Sequence, residues 1–159
     1  MRQSNVSDPR RGFTLIEMMI VVSVISIVAS IAIPNLLAAR VSGNEASAIT
    51  SLRTLMSVSE LYRNRFGAYP GTITSDGLGD LSNPLLQPSP FIDEQLGAGK
   101  KSGFGFLYNG TINRWNCTAD PSAVEFGVRS FFIDESGVIR VETDFISNGP
   151  ATSASPVLD

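Results

Sequence analysis

The chain has 159 residues, with 12 lysines and arginines against 15 aspartates and glutamates, no histidine and one cysteine. Without histidine, Ser/His/Asp and Cys/His catalytic arrangements are excluded, and a lone cysteine is too few for a cysteine-based zinc site. Cys117 has no intrachain disulfide partner, and the net charge of −3 speaks against general nucleic-acid binding, which needs a basic surface.

Residues 1–12 are polar and carry Arg2, Arg10 and Arg11 against Asp8. An apolar stretch follows over residues 13–33, just before Pro34, and these 21 residues make a helix of about 31 Å at 1.5 Å per residue. That matches a bilayer hydrocarbon core of about 30 Å. Glu17 is its only charged side chain. A carboxylate at bilayer depth costs roughly 2.5–3.5 kcal/mol on insertion scales, so its default meaning is functional, with a partner to be named. A secretory signal places its apolar region before a small-residue cleavage site. Here the small residue, Gly12, comes first, so a cut there leaves the apolar helix on the mature chain. The positive flank predicts a cytoplasmic N-terminus and an outward C-terminal domain.

The helical pattern continues past Pro34. Ile49, Leu52, Met56, Ser59, Tyr62 and Phe66 step by three and four and define one face. Gly67 caps the pattern and Pro70 prevents its resumption. One helix over 13–66 would run about 80 Å, loosened or kinked at Pro34, which removes a hydrogen bond, and weakened at Gly43. Residues 71–99 read as loop, with a short helix near Phe91 to Leu96. Strand patterns follow over 103–109, 112–118, 128–133 and 138–142, the last two joined by the hairpin loop Asp134-Glu135-Ser136-Gly137. The end of the chain, from Asn148, reads as irregular. The periodicities thus predict an α+β fold. The long N-terminal helix, half membrane and half amphipathic, packs on a small antiparallel sheet of three or four strands.

The hexapeptide Gly12-Phe13-Thr14-Leu15-Ile16-Glu17, with the apolar run and Pro34, resembles the N-terminus of type IV pilins and type II secretion pseudopilins. The resemblance is close from Arg10 to about Arg40 and only architectural after the helix. It implies that a prepilin peptidase/methyltransferase cuts between Gly12 and Phe13, removing residues 1–12 as a leader, and methylates the Phe13 amine. The mature chain of 147 residues would keep nine basic and 14 acidic residues. Residues 13–33 would then be the membrane and polymerisation helix, 34–66 its amphipathic half and 67–159 the outer domain. The resemblance also gives Glu17 an assembly role, its partner being the positive Phe13 amine of a neighbouring subunit. It places the chain in the inner membrane and then in a periplasm-spanning or extracellular filament, as homo-oligomer or with other pilins. Motility, adhesion, DNA uptake and secretion are the roles open to such a subunit. Many pilins close a C-terminal loop with a disulfide, and this chain departs from that pattern.

The closest rival is a pseudopilin of a type II secretion system. Major pseudopilins bind calcium near an Asp-Pro-Trp-Gly segment, which this chain lacks, so a pilin is favoured. The carboxylate pairs Asp93-Glu94 and Asp134-Glu135 read as solvated turns rather than as a cation site, and no metal or cofactor is expected. A rival of another class is a membrane-anchored surface or DNA-binding protein that does not polymerise, and the acidic balance opposes it. The strand aromatics Phe104, Phe106, Tyr108, Trp115, Phe131 and Phe132 read as core rather than as a stacking or electron path. Cys117 reads as a packed hydrophobe, and Lys100-Lys101 is too small for a nucleic-acid site. No residue set points to an enzyme.

Overall fold

The computed structural model describes residues 12–71 and 92–158. Helix α1 runs from Leu15 to Phe66, with Pro34 inside it. A four-residue helix, α2 (Glu94–Gly97), precedes strands β1 (Lys100–Lys101), β2 (Phe104–Gly110), β3 (Trp115–Pro121), β4 (Ser130–Asp134) and β5 (Arg140–Glu142), and α3 (Phe145–Asn148) follows them. The chain divides into two compact units, Met1–Leu36 and Leu37–Asp159. Every large apolar side chain from Phe13 to Ile33 stands exposed in the first unit. Three serines there turn their hydroxyls back onto the helix: Ser23 donates to the Met19 carbonyl, Ser26 to Val22 and Ser30 to Ile27. A helix so finished presents almost no unpaired polar group to its surroundings, as an apolar solvent requires.

In the second unit the sheet has five strands in the order β1-β2-β3-β4-β5, all neighbours antiparallel. Three or four strands were expected. The additional one is Lys100–Lys101, two residues whose apolar signal is nil and which pair only because the turn at Ser102 and Gly103 folds them back on β2. Alternation along β2 and β3 turns Phe104, Phe106, Tyr108, Trp115, Cys117 and Ala119 toward α1, where they meet Ala48, Leu52 and Leu55. The buried helix face is Glu45, Ala48, Ser51, Leu52, Leu55 and Ser59. Ile49, Met56 and Tyr62 flank it, and Phe66 is out in solvent, its ring 4.5 Å from Tyr62. The expected stripe was therefore rotated by a fraction of a turn, because small side chains (Ala48, Ser51, Ser59) let the sheet approach where large ones would hold it off. Phe132 alone among the strand aromatics lies on the face away from α1, opposite Thr118.

The turns follow the sequence closely. Gly67 ends α1 with a positive φ of 79° and donates to the Arg63 carbonyl, and Gly137 closes the β4–β5 hairpin at 74°. The C-terminal segment is less irregular than expected. The Val141 amide donates to Pro156 O, Leu158 donates to Ile139 O, and Val157 bridges Arg140, so β5 is not left as an open edge.

Two carboxylates give this unit opposite responses to pH. Asp93 caps α2 by accepting from Leu96 N and pairs with Lys101 at 2.8 Å, and these donors hold its carboxyl below the usual range. That stabilisation is present above the ordinary carboxylate range and is lost as pH falls through the depressed value. Asp120 is half-buried on the far face of β3, and burial pushes its carboxyl up, with Ser130 and Thr118 pulling it partly back. A raised folded-state value stabilises the fold below the ordinary range, and the gain is lost as pH rises through that value. Asp120→Asn is therefore expected to raise the thermal midpoint at pH 7 and to leave it nearly unchanged at pH 4. Equal midpoints at pH 7 would mean that the buried charge costs nothing.

Candidate functional site

The residues singled out by the sequence sit together at the start of α1. Gly12 has no heavy atom of the described residues, its chain neighbours aside, within 4 Å of where a side chain would begin. Phe13 follows, 79% exposed. Glu17 is one turn further on, and its carboxylate already has a partner. It accepts from the Thr14 backbone N–H and from the Thr14 hydroxyl, both at 2.8 Å. The Glu17 amide donates in return to the Thr14 hydroxyl at 3.3 Å. This reciprocal pattern is a capping box, which satisfies donors that the first helical turn leaves orphaned. Sequence reasoning sought the partner of Glu17 on a neighbouring chain and missed Thr14, although a Thr three residues before a Glu at a helix start is the signature of such a box. In the single chain the carboxylate is held by local donors, and none of them is a cation. Pro34, 17 residues beyond Glu17, is accommodated inside α1.

A second constellation escaped the sequence reading. Glu45, on the buried face of α1, accepts from the Val128 and Arg129 amides at 3.2 and 3.3 Å and from the Arg129 guanidinium at 2.8 and 2.6 Å. Its side chain is 5% exposed and that of Arg129 is 38% exposed. The signal was present: an acid four residues before Ile49 on an apolar stripe needs a partner. Asn44 adds a bond to Phe126 O, and Arg40 lies over the Phe126 ring at 5.6 Å. These contacts fix the β3–β4 connection to α1.

The other candidates take structural parts. Asp93 is a cap paired with Lys101, Asp134 accepts from the Ser136 amide and hydroxyl, and Glu135 pairs with the exposed Arg114. Among the described residues no three His, Cys, Asp or Glu side chains gather to hold a metal ion. Burial pushes the Cys117 thiol up, which keeps it protonated and poorly nucleophilic. Tyr108 stacks on Trp115 at 5.5 Å and receives the Ser59 hydroxyl, deep in the core.

Residues 8–33 match the family model described as the prokaryotic N-terminal methylation motif. The chain is 33% identical over 82 residues to the type II secretion system core protein G of Pectobacterium carotovorum subsp. carotovorum, covering 51% of each. It is 42% identical over 62 residues to the type IV major pilin protein PilA of Myxococcus xanthus, covering 39% of this chain and 28% of the relative. To the type IV wide pilus major component PilA4 of Thermus thermophilus it is 38% identical over 71 residues, covering 43% and 54%. It thus spans about half the length or less of these curated relatives. With the methylation motif over residues 8–33, an apolar helix long enough to cross a membrane and these relatives, the chain is similar to type IV pilins and type II secretion pseudopilins.

Proposed function

We propose that the chain is a structural subunit of a type IV pilus-like filament. It is inserted in the inner membrane, cut after Gly12, methylated on Phe13 and polymerised through α1. The observation that carries this reading is the placement of Glu17. One carboxylate stands in residues 13–33, a stretch whose large apolar side chains are all exposed, one turn from the residue that would become the N-terminus. Lipid and leucine are equally apolar, so helices of neighbouring subunits can replace lipid around residues 13–33 without loss of burial. The Phe13 amine of a neighbour then gives Glu17 a cation in low dielectric, stronger than its bonds to Thr14. Methylation keeps that amine charged.

A pseudopilin of a type II secretion system is the second reading, supported by the core protein G relatives. The two readings share the processing and assembly chemistry and differ in what the filament serves. Mass spectrometry of sheared surface filaments tests the choice. This chain as a component of long extracellular fibres, with a methylated Phe13 at its start, is the pilin result. Its restriction to the cell envelope in a strain that secretes proteins is the pseudopilin result.

Processing has its own expected result. Glycine leaves the backbone free to enter a narrow peptidase site. Gly12→Val is therefore expected to accumulate as uncut precursor in the membrane, with no filaments. Mature protein beginning at Phe13 in that variant would remove the assigned cleavage point.

A further inference from the structure

We propose that the groove on the sheet face turned away from α1 binds a neutral saccharide. It runs between the β2–β3 hairpin, the far face of β3 and β4, and residues 150–153 of the C-terminal segment. Its volume is about 520 Å³, within the range of about 300–1,000 Å³ that small-ligand sites occupy. The groove belongs wholly to the outer unit, Leu37–Asp159, and takes no residue from the apolar run 13–33.

Both walls are fixed by hydrogen bonds. On the hairpin side the Thr111 amide and hydroxyl bond to the Arg114 carbonyl at 2.8 and 3.0 Å. On the other side the Ala151 amide donates to Ser130 Oγ and the Thr152 amide to Ser155 Oγ. Phe132, 8% exposed, gives the floor an apolar surface. Walls that already hold their shape lose little to ordering when a ligand enters.

A polar row crosses three strands of this groove. Antiparallel pairing sets Asn109 of β2 opposite Asn116 of β3, and Asn116 opposite Asp134 of β4. All three line the groove. The Asn109 amide nitrogen donates to Asn116 Oδ1 at 3.4 Å, and among the described residues neither side chain makes another hydrogen bond. Asn109 Oδ1 is left to accept and Asn116 Nδ2 to donate. Asp134 spends one carboxylate oxygen on Ser136, and its other oxygen has no hydrogen bond among the described residues. Donors and acceptors therefore stand on successive strands about 4.8 Å apart, on the scale of a sugar ring.

Charge selects the class of ligand. Arg114, at the rim, is paired with Glu135 at 2.9 Å, so no uncommitted cation lines the groove to hold a phosphate, a sulfate or a sugar carboxylate. The Asp134 carboxylate repels such groups as well. An apolar ligand would strand two amides and a carboxylate away from water. A neutral sugar answers the whole row, because each hydroxyl can both donate and accept, and its carbon-bound hydrogens can lie against Phe132.

The test uses the full chain in phosphatidylcholine nanodiscs, which avoid sugar-based detergents. The probes are three sets of printed glycans: neutral, carboxylated and sulfated. Neutral glycans should be retained. Asn116→Ala should weaken that retention by about tenfold or more through lost hydrogen bonds, and Lys100→Ala, outside the groove, should leave it unchanged. The unsubstituted chain gives a reading that needs no variant. The best-retained glycan, added as a free oligosaccharide, should shift the side-chain amide signals of Asn109 and Asn116 and spare the backbone amides of Ala48 and Leu52 on α1. Tighter binding of the polymer than of its free disaccharide assigns the groove to a surface glycan and equal binding to a free sugar, and either result supports the site. Retention of no glycan, preference for the carboxylated or sulfated sets, retention unaltered in Asn116→Ala, or shifts that bypass the two asparagines would each overturn it.

Discussion

Glu17→Leu is expected to insert normally, to remain open to cleavage after Gly12, and to lower the ratio of sheared surface protein to membrane-bound protein by more than about tenfold, the change that 1.4 kcal/mol of lost pairing would produce. The direction of each step follows from what the carboxylate does. In the single chain it closes a capping box with Thr14. Losing that box loosens the first turn of α1, while removing a charge from an apolar helix makes insertion easier, and the second effect is the larger. A plain anchor would therefore tolerate the substitution or gain from it. A filament subunit loses the only charged group in residues 13–33 that can answer a neighbour's Phe13 amine. Thr14→Val separates the two roles. It deletes the hydroxyl and keeps both the carboxylate and the Thr14 amide that binds it, so filament yield should fall far less than with Glu17→Leu. Equal losses in the two variants would show that Glu17 serves only as a cap. An unchanged ratio in Glu17→Leu would remove the main physical support for polymerisation through this helix.

The parts of this protein that the sequence made legible are those governed by local rules. A 21-residue apolar run, a helix stop at Gly67 and a hairpin at Asp134 to Gly137 each depend on neighbours within a few positions, and each is where the residues put it. Strand edges moved because pairing, not propensity, ends a strand. The third strand begins at Trp115 instead of Ile112, because the Thr111 amide and hydroxyl both bond to the Arg114 carbonyl and close a tight turn first. Phe91, at the head of the expected short helix, lies outside the described residues, and α2 begins where Asp93 can cap it. What stayed hidden depends on long-range geometry. Glu45 and Arg129 are 84 residues apart, and nothing in either local segment names the other. Phe132 could be assigned to a strand but not to its face, since Ser130, Phe131, Phe132 and Ile133 are all buried and the alternation that normally reveals sidedness is absent.

The second large effect concerns that hidden pair. Glu45→Ala, tested in the unit Leu37–Asp159 as a soluble fragment, is expected to cost about 3 kcal/mol, or roughly 10 °C in Tm. Breaking a buried ion pair costs about 3–5 kcal/mol when the surviving charge is stranded. Here the survivor is Arg129, whose side chain is 38% exposed and regains water, which sets the estimate at the low end. The Val128 and Arg129 amides lose their acceptor as well, and that keeps the cost from falling further. Arg129→Ala should be worse than Glu45→Ala, because it leaves a 5% exposed carboxylate with only two long amide contacts. The double variant should cost less than the two single changes added together, since each loss includes the stranding of the other group. Glu135→Ala is the comparison on the same domain. It breaks a pair whose arginine is 82% exposed, and no measurable change is expected. In the full chain, Glu45→Ala should also release residues 122–128 from α1. Proteolysis within that connection should then quicken before the rest of the sheet yields. A midpoint for Glu45→Ala within 2–3 °C of wild type, about 1 kcal/mol or less, would mean that this buried pair merely breaks even against water and that the connection is held by the packing of Phe126 against Arg40 and Gly103.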